Sequence, residues 1–433
     1  MRPTASLATC HQAIVRTVLS SKPRTSTFRP SDRRIVLLTS VIGFVAAYAA
    51  SQMAHTLPFV RLSFELTEGQ MSLMFAGIRA ASLLGVLFAI TADRSGRRKP
   101  LLAAFALMAL GSLMTAFIPT LTVFAISQAL VRISIVAIAS ISIVLIAEEL
   151  SPDVRAFGIG IYGLAGSLGV GLGLVLLPMA EAGDDAWRIL FAFATLGLLA
   201  FPFVARFLPE SRAFTPAPTI PFTKALGMGL SKHFWPLAGV AFFVAAFSSP
   251  AFDFVLERLI NDLSWEPGAA RFLLIVFSGL GAVGLLVGGK LADRIGRKPT
   301  TIAALIIGLI GGIGFYLLDS GWFLAASIFL ATLGATMLTP SFGAQRSELF
   351  PTRVRATASA WITNVAIIGS ISGFATGAIL IDRIGLAATV ATLGAGVVIS
   401  IFLVTRLPET QGMDLVRAKT APTGASPQRP PVG

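Results

Sequence analysis

Long apolar segments separated by short polar ones run through most of this 433-residue chain. A helix rises about 1.5 Å per residue, so about 20 apolar residues cross a hydrocarbon core of about 30 Å. Alternation at the period of a strand is absent, which argues against a membrane barrel. The pattern predicts an all-α membrane protein with twelve transmembrane helices, over 35–60, 70–91, 100–118, 120–146, 157–180, 187–208, 236–258, 269–291, 300–318, 321–345, 357–380 and 385–406.

Polar segments at both ends and in the middle set the predicted domain boundaries. Residues 1–34 are basic, with neither an apolar core nor a small-residue cleavage site, so they indicate a disordered cytoplasmic tail rather than a signal peptide. The final stretch is rich in proline and glycine and is also expected to be disordered. We therefore predict a tail, two six-helix bundles, a linker between them and a second cytoplasmic tail, over 1–34, 35–208, 209–235, 236–407 and 408–433 respectively.

The charges orient these helices. Hydrophobic residues make up 55% of the chain and charged residues 13%, with a net charge of +13. Most of the 34 lysines and arginines fall in the tails, the linker and the loops of one side, which places that side and both termini in the cytoplasm. The basic charge therefore reflects membrane orientation, and no nucleic-acid partner is expected. The opposite loops hold five, namely Arg61, Arg188, Arg258, Arg271 and Arg383.

Short charged strings occur twice, about 200 positions apart, which predicts two homologous six-helix halves. Membrane transporters are often built from such repeats, with a binding site where the halves meet. The pairs are ADRSGRRKP (92–100) with ADRIGRKP (292–299), EELSPDVRA (148–156) with ELFPTRVRA (348–356), and RFLPES (206–211) with RLPET (406–410).

These strings resemble the signature of the major facilitator superfamily, G-x-L-a-D-r-x-G-r-k, between helices two and three of each half. The second copy matches fully, from Gly289 to Lys298, whereas Ala89 and Thr91 depart from the pattern in the first. The resemblance covers essentially the whole chain and implies the fold of that superfamily, with two pseudo-symmetric halves. It further implies that charged networks latch the cytoplasmic side when the transporter faces outward.

Glycine at the third position after each aspartate allows a tight reversal, because positive φ is cheap only for glycine. The aspartates can pair with the arginines of the second repeated string or with a helix N-terminus. The alternative is that these charges only orient the loops. The predicted cytoplasmic gate comprises Asp93, Arg94, Gly96, Arg97, Glu148, Arg155, Asp293, Arg294, Gly296, Arg297, Glu348 and Arg355.

Two arginines, Arg79 and Arg132, lie deep inside predicted helices two and four. An arginine at such depth costs about 2.5–3.5 kcal/mol or more and normally faces the bundle interior. Residues 35–60 hold no acidic partner of the kind that proton-coupled sugar symporters of the superfamily use. The forked guanidinium donors suit a substrate carboxylate or phosphate. Alternatively, backbone carbonyls or nearby glutamines satisfy them as structural groups.

Polar positions elsewhere in the helices expected to line the cavity complete the predicted site. Tyr48, Gln52 and His55 share one face of helix one, and Gln128 lies one turn from Arg132. Asn364 of helix eleven is a further candidate to bind substrate. These side chains also fit ordinary packing between helices.

Helix seven carries the acidic candidates for proton coupling. Pro250 is expected to interrupt it, and Asp253 and Glu257 follow towards its outer end. If they are buried, one of them takes up a proton during the cycle. If they are exposed, they only decorate a helix end.

Together these features predict a secondary transporter of the plasma membrane, with a lipid bilayer, a small solute and protons as partners. The preferred substrate is an organic anion or sugar-like metabolite, moved by proton symport through alternating access. The alternative is efflux of a hydrophobic compound by proton antiport. No cofactor, metal site or enzymatic activity is expected, because no catalytic motif or P-loop is present. A monomer is expected, since one pseudo-symmetric chain encloses a pathway.

Overall fold

A computed structural model describes residues 29–117, 120–150, 152–211, 233–350 and 352–411, and all regular elements in these ranges are helices. Each half contributes six membrane helices, as the apolar pattern predicts. The helices of the first half are α1 (Pro30–His55), α2 (Glu68–Ala81 and Gly85–Ser95), α3 (Arg98–Phe117), α4 (Leu121–Glu149), α5 (Pro152–Leu176) and α6 (Arg188–Thr195 and Gly197–Phe207).

The second half repeats this arrangement. Its helices are α7 (Phe234–Asp253), α8 (Pro267–Leu273, Gly279–Gly281 and Gly284–Ile295), α9 (Arg297–Leu317), α10 (Gly321–Glu348), α11 (Thr352–Ile384) and α12 (Leu386–Thr405). The fold class predicted from the sequence is therefore confirmed.

Two helices of the first half, α1 and α2, differ from the predicted spans. Helix α1 begins at Pro30 rather than near 35, because proline is preorganised for the first helical position. Helix α2 is divided by a 3₁₀ turn at Ser82–Leu84. As a result, eleven helices in the described part of the chain are long and apolar enough to cross a membrane by themselves, and α2 is the twelfth span.

Helix α7 corrects the prediction of a break at Pro250. The helix continues through Pro250 to Asp253, and the N–H of Phe254 donates to the Pro250 carbonyl at 3.0 Å. The regular helix ends only after this bond, and a π turn at Arg258–Asp262 follows. The proline is tolerated because its carbonyl still accepts a helical hydrogen bond, although the residue has no N–H to donate.

Close contact between two helix pairs forms the walls of the site. A Cβ atom on Gly169 of α5 would lie 2.2 Å from the Phe44 carbonyl oxygen of α1. In the second half, a Cβ atom on Gly369 of α11 would lie 2.1 Å from the Phe242 carbonyl oxygen of α7. These positions require glycine, because any side chain would push the paired helices apart.

Candidate substrate site and gates

The end of the bundle that carries Gly96 and Gly296 is called the inner end, and the opposite end the outer end, after the orientation that the charges predict. One cavity in each half lies at a matching position, and these two cavities are related by the repeat. The first-half cavity, of about 330 Å³, lies between α1, α4 and α5 and includes Ser51 and Ile138. The second-half cavity, of about 260 Å³, lies between α7, α10 and α11 and includes Ser248 and Leu338.

Arg132 of α4 is half-buried and lies close enough to Arg79 and Asp253 to interact with both electrostatically. Across the described ranges, no hydrogen bond or ion pair satisfies its guanidinium. A cation inside a membrane protein normally finds a partner. Arg132 therefore has the chemistry of a site that is completed by an incoming anion.

Arg79 is paired, which the sequence did not predict. Its Nη2 donates to Asp253 Oδ2 of α7 at 2.6 Å, with the two side chains 21% and 14% exposed. The guanidinium also lies over the Phe374 ring, 5.5 Å from its centroid. The acidic partner of Arg79 is thus supplied by the opposite half of the molecule.

Glu257 is the second predicted coupling acid, and its side chain is fully buried. Arg61 Nε and Asn261 Nδ2 both donate to its Oε1, the latter at 2.8 Å. Its Oε2 has no hydrogen-bond partner among the described residues. Glu257 is buried and Asp253 is partly buried, so neither lies on a fully exposed helix end, and a coupling role for them stays a prediction.

Further contacts between the halves close the outer end. Asp382 of α11 accepts hydrogen bonds from Thr67 Oγ1 at 2.8 Å and from the Gly69 N–H at 3.0 Å. Ser72 Oγ of α2 donates to the Phe374 carbonyl at 2.7 Å. An Arg271–Glu181 pair links α8 to the segment that follows α5. Together with Arg61–Glu257 and Arg79–Asp253, these contacts form what we call the outer seal.

The polar face predicted on α1 is packed between helices. The Tyr48 hydroxyl donates to the Leu190 carbonyl of α6 at 2.9 Å, and Gln52 Nε2 donates to the Tyr48 carbonyl at 3.0 Å. A Cβ atom on Gly173 would lie 2.5 Å from Gln52 Nε2 and 2.8 Å from His55 Nδ1. The backbone of α5 therefore covers this face, and a binding role for these three residues stays a prediction.

The remaining substrate candidates are separated in the structure. Gln128 is buried and donates from Nε2 to Thr115 Oγ1 of α3 at 2.9 Å, so it links two helices. Asn364 is half-buried on α11, and no hydrogen bond is recorded for its amide in the described part of the chain. Asn364 thus remains available for a ligand, whereas Gln128 is occupied.

The predicted inner gate forms one network in each half. In the first half, Arg97 Nη2 lies 2.9 Å from Glu148 Oε1, and Ser211 Oγ donates to Glu148 Oε2 at 2.7 Å. In the second half, Arg297 Nη2 lies 3.3 Å from Glu348 Oε1. Every ion pair recorded at the inner end of the described chain stays within one half.

One aspartate of the repeated string, Asp293, lies within the described part of the structure with its side chain, and the expected pairing with Arg155 and Arg355 stays a prediction. Asp293 pairs with Arg297, four residues further on, at 2.9 Å. The turn itself is as predicted, with φ of +95° at Gly96 and +112° at Gly296. Arg94 and Arg294 are exposed beside these turns. The side chains of three gate residues lie outside the described part of the structure, namely Asp93, Arg155 and Arg355.

Two acids of the repeated LPE strings were missed as gate members. Glu210 accepts from the Arg97 N–H at 2.6 Å, and Glu409 accepts from the Arg297 N–H at 2.8 Å and from the Lys298 N–H at 3.0 Å. Each carboxylate thus caps the start of α3 or α9, where the helix dipole favours negative charge. The signal in the sequence was the spacing of about 200 positions between the two LPE strings, which identified the repeat but not the N–H groups that the two acids contact.

The pKa of Glu409 reflects this capping. Partial burial disfavours the charged carboxylate, but the backbone N–H groups that it accepts from outweigh that cost and lower the pKa below its ordinary value. The capping carboxylate is therefore ionised at neutral pH.

Comparison with known proteins is consistent with these features. A family model described as Major Facilitator Superfamily matches residues 39–256 and 235–430. A probable 4-methylmuconolactone transporter of Cupriavidus pinatubonensis (strain JMP 134 / LMG 1197) is 26% identical over 85% of this chain and 88% of its own. A citrate-proton symporter of Klebsiella pneumoniae is 28% identical over 61% of this chain and 64% of its own.

Among solved structures, a bacterial homolog of the human lysosomal transporter Spinster, in an inward-facing and occupied conformation, has the same fold. It superposes with a TM-score of 0.73 at 15% identity, covering 88% of this chain and 98% of its own.

Proposed function

The chain belongs to the Major Facilitator Superfamily, and from this premise we propose that it is a proton-coupled symporter that takes up a small organic anion. As a member of this family it is a membrane transporter of a solute and not an enzyme. The proposal places it in the plasma membrane as a monomer, with the inner end and both termini in the cytoplasm. The name of one relative, a citrate-proton symporter, supports both the carboxylate and the proton.

The observation that carries the proposal is the unsatisfied guanidinium of Arg132. Its neighbour Arg79 is neutralised by Asp253, so one net positive charge remains in this part of the bundle. A substrate carboxylate would remove that charge and would accept two parallel hydrogen bonds from the guanidinium fork.

Proton coupling is assigned to Asp253. A proton on its carboxylate would remove the charge that holds Arg79 and would weaken the outer seal. The same step would leave two unpaired arginines facing the substrate. Proton and anion would then favour each other's binding, which is the requirement for symport.

We assign the structure, with its outer seal closed across the two halves, to the inward-facing state of the cycle. In the outward-facing state, the outer seal breaks and the inner networks meet across the two halves. The intact Arg97–Glu148 and Arg297–Glu348 pairs keep each inner network in place for that contact. Alternating access then follows from the rocking of two nearly rigid halves.

A thermal-shift screen on the purified protein tests the substrate class, because a bound ligand raises the apparent melting temperature by mass action. Carboxylates, phosphorylated metabolites, neutral sugars and lipophilic cations would be compared. We expect a carboxylate to stabilise the wild type and to lose its effect in Arg132→Ala. Arg132→Lys keeps the charge without the fork, so it should recover only part of the stabilisation.

Arg406→Gln serves as the matched control, because Arg406 is exposed and lies over the Phe402 ring, away from the site. Carboxylate stabilisation that survives Arg132→Ala would make Arg132 a structural residue. Stabilisation by lipophilic cations alone would instead favour efflux of hydrophobic compounds.

A further inference from the structure

The two half-cavities differ in one charged residue. Arg346 of α10 lines the second-half cavity, close to its inner mouth, together with Ser248 and Thr363. The equivalent position in the first half, 200 residues earlier, is Ile146. Ile146 is fully buried in the apolar core of its half.

Among the described residues, nothing is recorded to pair with the guanidinium of Arg346. It is half-buried, and neither an ion pair nor a hydrogen bond to it is recorded over the described ranges. The rest of the cavity wall is apolar except for Ser248 and Thr363. An arginine in such a wall is costly unless an anion or water solvates it.

The fold does not require a cation here. The equivalent position in the first half, which has the same architecture, is an isoleucine that packs in the core. An apolar side chain therefore suits this position, and the arginine is not needed for packing. Gly163 and Thr363 also occupy matching positions, and the change adds a hydroxyl to the same wall. Two polar changes converge on one cavity, which indicates a ligand rather than a packing need.

Arg346 is distinct from the Arg132 site. The position of α10 that matches Arg132 is Thr332, and Arg346 lies fourteen residues beyond it. At about 1.5 Å per residue, this places Arg346 about 21 Å nearer the inner end. One small anion cannot contact both arginines at once.

We propose that Arg346, with Ser248 and Thr363, forms a second carboxylate-binding site at the inner mouth of the pathway. This inference rests on the proposed transport of an organic anion. The site receives the substrate as it leaves Arg132 and holds it before release. A chain in the state described here would therefore bind two anions.

The test is the stoichiometry of equilibrium binding to the purified full-length chain, with radiolabelled citrate and benzoate as probes. We expect two sites in the wild type and one in Arg346→Ile, which installs the residue of the equivalent first-half position. Arg346→Lys should retain both sites, with the second about tenfold weaker, because an ammonium replaces the guanidinium fork. Arg132→Ala should lose the other site, and Arg406→Gln should keep both.

A melting temperature for each variant shows that it is folded. One site in the wild type, or two sites in Arg346→Ile, would overturn the second site and leave the proposed function standing. Failure of the wild type to bind either probe would overturn both proposals. If the binding constant is unchanged in Arg132→Ala while Arg346→Ile loses one site, only the role of Arg132 would be overturned.

Discussion

Gly296 holds the turn between α8 and α9 at φ +112° and ψ 157°, a conformation that is essentially confined to glycine. A Cβ atom at this position would lie 2.5 Å from Glu409 Oε2, inside the contact that caps α9. The residue therefore does two things at once, since it permits the reversal and leaves room for the capping carboxylate. Gly96 does the same beside Glu210.

Gly296→Ala should lower stability by about 1–3 kcal/mol, the usual cost of such backbone strain, through loss of the cap and of the turn. The measurement is the apparent melting temperature of the purified protein. Gly279→Ala is the control, because a Cβ atom there meets nothing within 4 Å. An equal effect of the two changes would show that the turn carries no special constraint.

At this scale the sequence revealed which residues are unusual but not what they contact. Arg79 and Arg132 were found because a charge in an apolar segment is conspicuous. Asp253, the partner of Arg79, lies 174 positions away on the other half, and no local pattern encodes that distance. Arg346 was overlooked because the apolar window ended at 345, one residue too early.

At the scale of elements, α2 and α7 meet through Arg79 and Asp253. Both helices depart from regular geometry near this contact, α2 at its 3₁₀ turn and α7 just after Asp253. Irregular backbone in membrane helices is tolerated where protein or a cavity surrounds it. The pairing thus occurs beside the irregular segments of both helices.

Asp253→Asn mimics a permanently protonated acid. We expect the variant to keep exchange of substrate across the membrane but to lose accumulation driven by a proton gradient. Wild-type uptake should rise as the external pH falls, because protons are taken up with the anion, and the variant should lose this dependence. Uptake into proteoliposomes under imposed pH gradients is the measurement.

Asp319→Asn is the matched control for that experiment, since Asp319 is a 72% exposed acid of the outer end that pairs with Arg258. Proton-driven accumulation by Asp253→Asn would exclude Asp253 as the coupling group.

The apolar windows predicted the number and order of the helices, because crossing a bilayer needs a fixed length of apolar chain. They did not predict the breaks within α2 and α8. Those breaks depend on how neighbouring helices pack, as at the close approach of Gly281 to the backbone of α10, where a Cβ atom would lie 3.0 Å from Leu333 N. The length of a membrane helix depends on the composition of its own segment, whereas a break depends on the residues packed around it.

At the scale of the whole molecule, the halves touch through the outer seal. The sequence predicted latches at the inner end and left the outer end undescribed, because each seal contact joins residues far apart in the chain. Ser72 of α2 and Gly377 of α11 approach closely within this contact, where a Cβ atom on Gly377 would lie 3.3 Å from Ser72 Cβ. This separation is close to the range of a disulfide.

A Ser72→Cys and Gly377→Cys double variant should therefore form a disulfide that locks the outer end. We expect transport to stop on oxidation and to recover on reduction, with each single variant unaffected by oxidant. Cys10 would be replaced first to leave no other thiol. Full transport by the oxidised and demonstrably cross-linked protein would show that the seal does not open during the cycle.

The ion pairs of the outer seal make its stability depend on the ionic strength of the surrounding medium. Its rim pair, Arg271–Glu181, is partly exposed, whereas Glu257 is fully buried. Dissolved salt screens exposed pairs over about 8–10 Å at physiological strength and scarcely reaches buried ones. In brine and in fresh water, the same protein would thus have different equilibrium populations of its inward-facing and outward-facing states, even before substrate binds.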